Sequence, residues 1–98
     1  THQYIKMEII HKQDEDSGKF QIMDGQNTAG QIFYSWLGKD RIVINHTEVE
    51  PAYNGQGIGK QLVYRVVEFA REKQVNVVPL CTFAKRIFEK SEEIRDVL

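Results

Sequence analysis

The densest chemistry in the sequence lies in the run Asn54-Gly55-Gln56-Gly57-Ile58-Gly59-Lys60, where glycine recurs at every second position just before an apolar, periodic segment. Glycine lets a backbone turn tightly and approach a ligand with no Cβ in the way. A helix that opens at Ile58 leaves its first N–H groups without intrahelical partners, and its dipole adds partial positive charge there. Together these features suit a bound phosphate, to which Lys60 can add a charge-assisted contact. The same spacing also fits a plain glycine-rich turn ending a strand, and the pattern alone leaves both readings open.

Two familiar phosphate motifs do not fit. A P-loop needs glycine five residues before its Gly-Lys pair and Ser or Thr after it; those places hold Asn54 and Gln61. The dinucleotide fingerprint needs a third glycine where Lys60 or Leu62 stands, and a parallel βαβ unit that the preceding strands do not suggest.

Three further side chains can do chemistry. His46 and Glu48 stand at the polar end of the apolar stretch Arg41 to Val49, which leads into the glycine loop. An imidazole titrates near neutrality and serves as a base or proton shuttle; a hydrogen-bonded structural histidine is the alternative. Strict alternation places His46 and Glu48 on the face of Ile42 and Ile44, with Asn45 and Thr47 opposite. Glu48 is either a weaker candidate base or a solvated strand-end carboxylate. Cys81, the one cysteine, opens the last helical segment, where the dipole and nearby Lys85 and Arg86 favour a nucleophilic thiolate. Against this, Cys81 shares a helical face with Ala84 and Phe88, as a small core residue would.

These residues must be held by a scaffold, and the pattern supplies one. Met7 to His11, Lys19 to Met23, Gln31 to Leu37 and Arg41 to Val49 read as strands, rich in β-branched and aromatic residues. The short connections Gln13 to Gly18, Asp24-Gly25 and Gly38-Lys39-Asp40 imply an antiparallel meander. From Ile58 the period changes: Leu62, Val66 and Ala70, flanked by Val63, Val67 and Phe69, form a broad helical stripe. Val75 to Val78 reads as a short strand that Pro79 interrupts, and a final helix runs from Cys81 or Thr82 through Phe88. The fold class is α+β (mixed α/β): a meander, a long helix, a short strand and a C-terminal helix. Phe33, Tyr34 and Trp36 are expected in the sheet core, and Glu89 to Asp96 on a solvated helix face.

Composition narrows the possible tasks. With 98 residues the chain is expected to form a single domain over 1–98. Thirteen basic residues against fourteen acidic ones give no surplus for nucleic acid. No apolar run approaches the roughly 20 residues of a membrane span. A lone cysteine forms no internal disulfide, and no Cys/His cluster has zinc spacing, so neither a metal nor an oxidising compartment is expected. The cytoplasm is the expected location.

The run Val49 to Gly59 resembles the acetyl-CoA motif of GCN5-related N-acetyltransferases, with Asn54 where that family carries Gln or Arg. A closer resemblance is to the family's very small members, through Ala29-Gly30-Gln31-Ile32-Phe33-Tyr34, His46-Thr47-Glu48-Val49, the glycine loop and Pro79-Leu80-Cys81-Thr82-Phe83. The resemblance implies that the amides of Asn54 to Lys60 bind the CoA pyrophosphate and that backbone groups near Glu48 and Val49 hold the pantetheine arm. It also implies transfer of acetyl to a primary amine, on a small molecule, a peptide end or a protein lysine, with Cys81 proposed in the small members as nucleophile. The helices that usually shape the acceptor site between the first two strands are missing. A CoA-binding or protein-interaction module without turnover is the rival reading.

Overall fold

The computed structural model describes residues 7–98. Four strands come first: β1 (Met7–Gln13), β2 (Ser17–Asp24), β3 (Asn27–Leu37) and β4 (Arg41–Val49). A 3₁₀ turn (Pro51–Tyr53), helix α1 (Ile58–Lys73), strand β5 (Asn76–Pro79), helix α2 (Thr82–Lys90) and a last 3₁₀ helix (Glu92–Val97) follow. The sheet order is β1-β2-β3-β4-β5, antiparallel except for the parallel β4–β5 pair that α1 connects. The family fold read from the sequence is thus the one observed.

Local chemistry closes each hairpin. The Asp14 carboxylate accepts the N–H groups of Asp16 and Ser17 at 2.9 Å, an Asx turn that ends β1 and opens β2. Gly25 turns β2 into β3 with φ +61°, a conformation that costs other residues their Cβ clearance. Strand β3 begins four residues before the expected Gln31: Gly30 pairs with Ile22 and Thr28 with Met23, and the buried Ala29 is the extra residue of a bulge between them.

One face of the sheet makes the core. Phe20, Ile22, Ile32, Tyr34, Ile42 and Ile44 are buried against the α1 stripe of Leu62, Val63, Val66, Val67, Phe69 and Ala70. Removing such a stripe from water is the main driving force available to a domain of this size. The other helical pieces belong to the same layer: Phe83 of α2 meets Gly59 of α1, and Arg71 of α1 forms an ion pair of 2.6 Å with Asp96. The opposite sheet face carries Lys12, Lys19, Gln21, Gln31 and Phe33. Phe33 is therefore half-exposed there rather than in the core, unlike Tyr34.

The charged tail departs from expectation. Helix α2 stops at Lys90, and Ser91, Ile94 and Val97 are all buried. A 3₁₀ helix has three residues per turn, so these three positions stack on one face while Glu92, Glu93, Arg95 and Asp96 point away. The segment is a second apolar contact on α1, not a solvated face. Among the described residues, no helix is long and apolar enough to cross a membrane.

His11 is folded into the far end of the core. Its ring stacks on Phe20 at 4.0 Å and meets the edge of Phe69, and its Nε2 lies 2.7 Å from the Tyr34 hydroxyl. Burial lowers its pKa below the ordinary 6.5, with the Arg65 charge acting in the same direction. The unfolded chain therefore takes up a proton more readily than the folded one. Stability should be unaffected by this group above about pH 6.5 and should fall as the pH drops from there through the folded-state pKa. Urea midpoints measured between pH 8 and pH 5 should show a smaller acid loss in His11→Gln than in the parent chain.

Candidate active site

The site forms where β4 and β5 part. The register of β3 against β4 shifts between Phe33 and Tyr34: Tyr34 pairs with Ile44, but Phe33 pairs with His46, leaving Asn45 as an extra residue. Such a bulge reverses the facing of everything after it. Ile42 and Ile44 point into the core, whereas His46 and Glu48 stand on the opposite face beside Phe33 and Gln31. The alternation expected from sequence is corrected on this point. Thr47 and Val49, opposite Ile32 and Gly30, turn to the helical side instead.

The last β4–β5 pair is Ile44 with Pro79. Beyond it the N–H groups of Leu80 and Cys81 both donate to the Ile44 carbonyl, at 3.1 and 3.2 Å. The strands then separate, and a groove of about 400 Å³ opens on the helical side. Thr47 and Val49 line it from β4, Phe83 from α2, and Tyr53, Asn54, Gly55, Gly57, Ile58, Gly59 and Lys60 from the loop and the start of α1. Of the residues expected to bind a cofactor, only Glu48 and Gln56 do not line this groove.

The loop glycines do different work. Gly55 and Gly57 have φ of +80° and +73°, and a Cβ on either would touch nothing, so backbone conformation is what selects glycine there. Gly59 is helical, and a Cβ on it would strike the Phe83 ring. A Cβ on Gly30 would lie 2.7 Å from Ile58 Cγ2 and 2.8 Å from the Glu48 carbonyl. Gly30 thus lets the amino end of α1 sit directly on the sheet, and Gly59 lets α2 approach it. The first helical-type bond runs from Gln61 N–H to the Gly57 carbonyl, so the preceding amides face the groove without intrahelical partners. Tyr53 anchors the loop through a 2.6 Å bond to the Asp24 carboxylate.

Cys81 and His46 lie in separate environments. The half-buried Cys81 thiol donates to the Thr47 hydroxyl at 3.5 Å. Burial pushes its pKa up, but the N–H groups of Ala84 and Phe83 together with Thr47 outweigh it and leave the thiol below its ordinary value. Backbone donors and Thr47, rather than Lys85 and Arg86, make the environment favourable to thiolate. His46 is 61% exposed; its Nε2 lies 3.6 Å from the Glu48 carboxylate and its ring stacks on Phe33 at 6.1 Å between centroids. No hydrogen bond joins His46 to Cys81. Thr47, Tyr53 and Phe83 were missed from sequence. Thr47 was hidden by the bulge, and Phe83 by a fold-back that brings α2 onto α1.

The profile of the GCN5-related N-acetyl-transferase family matches residues 19–97. The chain belongs to that family. Protein NATD1 of Bos taurus is 26% identical over 69 residues, which cover 70% of this chain and 61% of the bovine protein. The solution structure of a GCN5-like protein from Staphylococcus aureus is 39% identical with a TM-score of 0.70, covering 90% of this chain and 85% of that one. A ribosomal-protein-alanine N-acetyltransferase from Brucella melitensis shares the fold, with a TM-score of 0.67 at 18% identity, over 80% of this chain and 62% of its own.

The division among the glycines is open to measurement in this GCN5-related chain. Gly59→Ala should destabilise by about 1 kcal/mol or more through overpacking against Phe83. Phe83→Leu in the same chain should recover part of that loss, giving a non-zero coupling in a urea double-mutant cycle. Gly55→Ala should cost about 1 kcal/mol through its positive φ alone, with no coupling to position 83.

Proposed function

We propose that this chain is an acetyl-CoA-dependent N-acetyltransferase acting on a primary amine, working as one domain in the cytoplasm. The observation that carries the reading is a continuous path. It starts at the amides beside Gly57 and follows the groove past Val49 and Thr47 on the stretch of β4 that lies beyond its last pair with β5.

The residues fit the cofactor. Gly55 and Gly57 leave open space where a side chain would stand, so phosphate oxygens can approach the backbone. The helix dipole and the amides from Gly57 to Lys60 then hold the negative charge. The β4 backbone beyond Ile44 has lost its β5 partner, which leaves peptide groups free for an extended amide-containing arm. Bound acetyl-CoA supplies an activated acetyl group, whose carbon–sulfur bond breaks as the new carbon–nitrogen bond forms.

The chain's own part is positioning and proton transfer. Because His46 stands on the face opposite the groove, an amine it serves must enter from that face. The imidazole takes the ammonium proton, and Glu48 beside it stabilises the imidazolium. A second route, transfer by way of acetyl-Cys81, is supported by the lowered thiol pKa and by the Thr47 contact, which puts the sulfur next to a groove-lining residue. In that route the thiolate attacks the acetyl carbon and CoA leaves as its thiolate; the amine then attacks the acetyl-cysteine, Cys81 leaves as thiolate, and the proton lost by the amine restores a thiol.

Three variants separate these readings. Gly57→Asp should weaken CoA binding by at least about 1–3 kcal/mol, and unchanged affinity in the folded variant would remove the phosphate assignment. His46→Ala should lose about 10²-fold or more in turnover with CoA affinity preserved. Incubation with acetyl-CoA alone should add one acetyl group to the intact protein, absent in Cys81→Ala, at a rate that matches turnover if the covalent route operates. Full activity in Cys81→Ala returns the reaction to direct attack. CoA binding with no turnover over a panel of amines would leave a binding module.

A further inference from the structure

Strand β1 is an edge of the sheet: β2 pairs with one side of it, and among the described residues nothing pairs with the other. The opposite edge, β5, is four residues long and ends in Pro79, which blunts it. β1 runs for seven residues with no proline, glycine or bulge, and leaves Ile9 41% and Ile10 37% exposed. Such an edge is a template for another strand.

The hydrogen bonds at the hairpin say which groups are free. The Asp14 N–H donates to the Ser17 carbonyl, whereas the neighbouring Asp16 carbonyl turns the other way, to the Trp36 N–H of β3. Backbone groups alternate in direction along an antiparallel strand. In the β1–β2 register, Lys12, Ile10 and Glu8 therefore bond towards β2 as Asp14 does, and Met7, Ile9, His11 and Gln13 direct their N–H and carbonyl groups outward. Side chains alternate as well: Glu8, Ile10 and Lys12 stand on the outer face, Ile9 and His11 on the helical one.

A second β1 laid antiparallel satisfies this edge in one register. Centred on Ile10, it sets Ile9 against His11 and Met7 against Gln13 of the other copy, outward groups meeting outward groups in each pair. On the outer face it sets Glu8 against Lys12 of the other copy and Lys12 against Glu8, with the two Ile10 side chains between. Opposite charges facing each other across strands attract, and like charges repel. Within one copy Lys12 faces Lys19, so the second copy brings a carboxylate to a side chain that β2 meets with like charge. A shift by one residue would put outward groups against inward ones, and the next allowed registers lose both ion pairs. The acidic turns at Asp14 of the two copies fall at opposite ends, about 26 Å apart along the strands. The net charge of −1 leaves little repulsion between whole copies.

The geometry points to a homodimer in which β1 of two copies pairs antiparallel about Ile10, joining two sheets into one with Glu8–Lys12 ion pairs on its outer face. Its two-fold axis stands perpendicular to the sheet, so both helical layers and both glycine loops lie on one side. This contact is independent of the transferase reading, because the groove lies at the other end of the strand order. A single strand pair belongs among the smallest interfaces, below about 1,200 Å², so the dimer is weak and forms with concentration.

Sedimentation of the full chain at low salt, up to about 1 mM, should show the mean mass rising from monomer towards dimer. Amide exchange should slow with concentration at Ile9 and His11 and stay unchanged at Ile10, which already bonds to β2. Glu8→Lys alone, or Lys12→Glu alone, sets like charges in both outer pairs and should weaken self-association about 10-fold or more. Mixing the two variants restores both ion pairs, so a heterodimer as tight as the parent dimer should form. A mass that stays monomeric over that range, exchange at Ile9 and His11 that ignores concentration, single variants that associate as the parent does, or a mixture no tighter than either variant alone would each overturn the inference.

Discussion

The Ile44 carbonyl is the last point at which β4 and β5 are tied together, and it accepts two N–H groups, from Leu80 and Cys81. Pro79, just before them, has no N–H to offer and cannot extend a ladder. On the other side of β4, the extra residue Asn45 interrupts the pairing with β3 at nearly the same level. Both edges of the strand are therefore disturbed within two residues. The strand survives as a wall of the groove because β3 resumes pairing from His46 to Val49. The opening between β4 and β5 is built into the backbone and does not depend on a side chain moving.

Around that opening, close approach of backbones replaces side-chain capping. Helix α1 has no side-chain N-cap; Gly57 occupies the position in a left-handed conformation. A Ser or Asp at that place would satisfy amides that the groove leaves available. Gly30 under Ile58 and Gly59 under Phe83 then bring the sheet, α1 and α2 together at one corner. The far end of α1 is held differently, by Arg71 on Asp96 and by buried Ile94 and Val97. Being exposed, the ion pair contributes little by itself, and the apolar contacts of the 3₁₀ segment are the stronger tie.

Much of this was legible in the residues. Arg41–Val49 has the bounds expected of it, and α1 starts at the expected Ile58, because each is a long apolar element bounded by glycine or charged residues. The glycine loop was legible as a turn before an apolar stripe, although its spacing alone left open whether it holds a ligand. What escaped at the site comes from a period broken by a single residue. Asn45 carries no sequence mark of a bulge, yet it moves His46 and Glu48 to the other face and brings Thr47 to the groove. The tail was misjudged for another reason: Ser91, Ile94 and Val97 repeat every three residues, not at the α-helical period, and four charged residues mask them. Phe33 could not be told from Tyr34 by type, since both are strand aromatics of the same strand.

The core of this protein has only one side. Every element of the helical layer stands on the same face of the sheet, and the residues of that face touch α1, the glycine loop or each other. A change there alters packing and groove together. The opposite face carries few buried side chains, Val43 and Gln21 among them, and replacement of its exposed residues usually costs less than about 0.5 kcal/mol. The two faces therefore differ in what a substitution costs the fold. Exposed positions of the outer face can be exchanged with little penalty in folding, whereas an exchange on the inner face is felt at once by the helices and by the groove they wall.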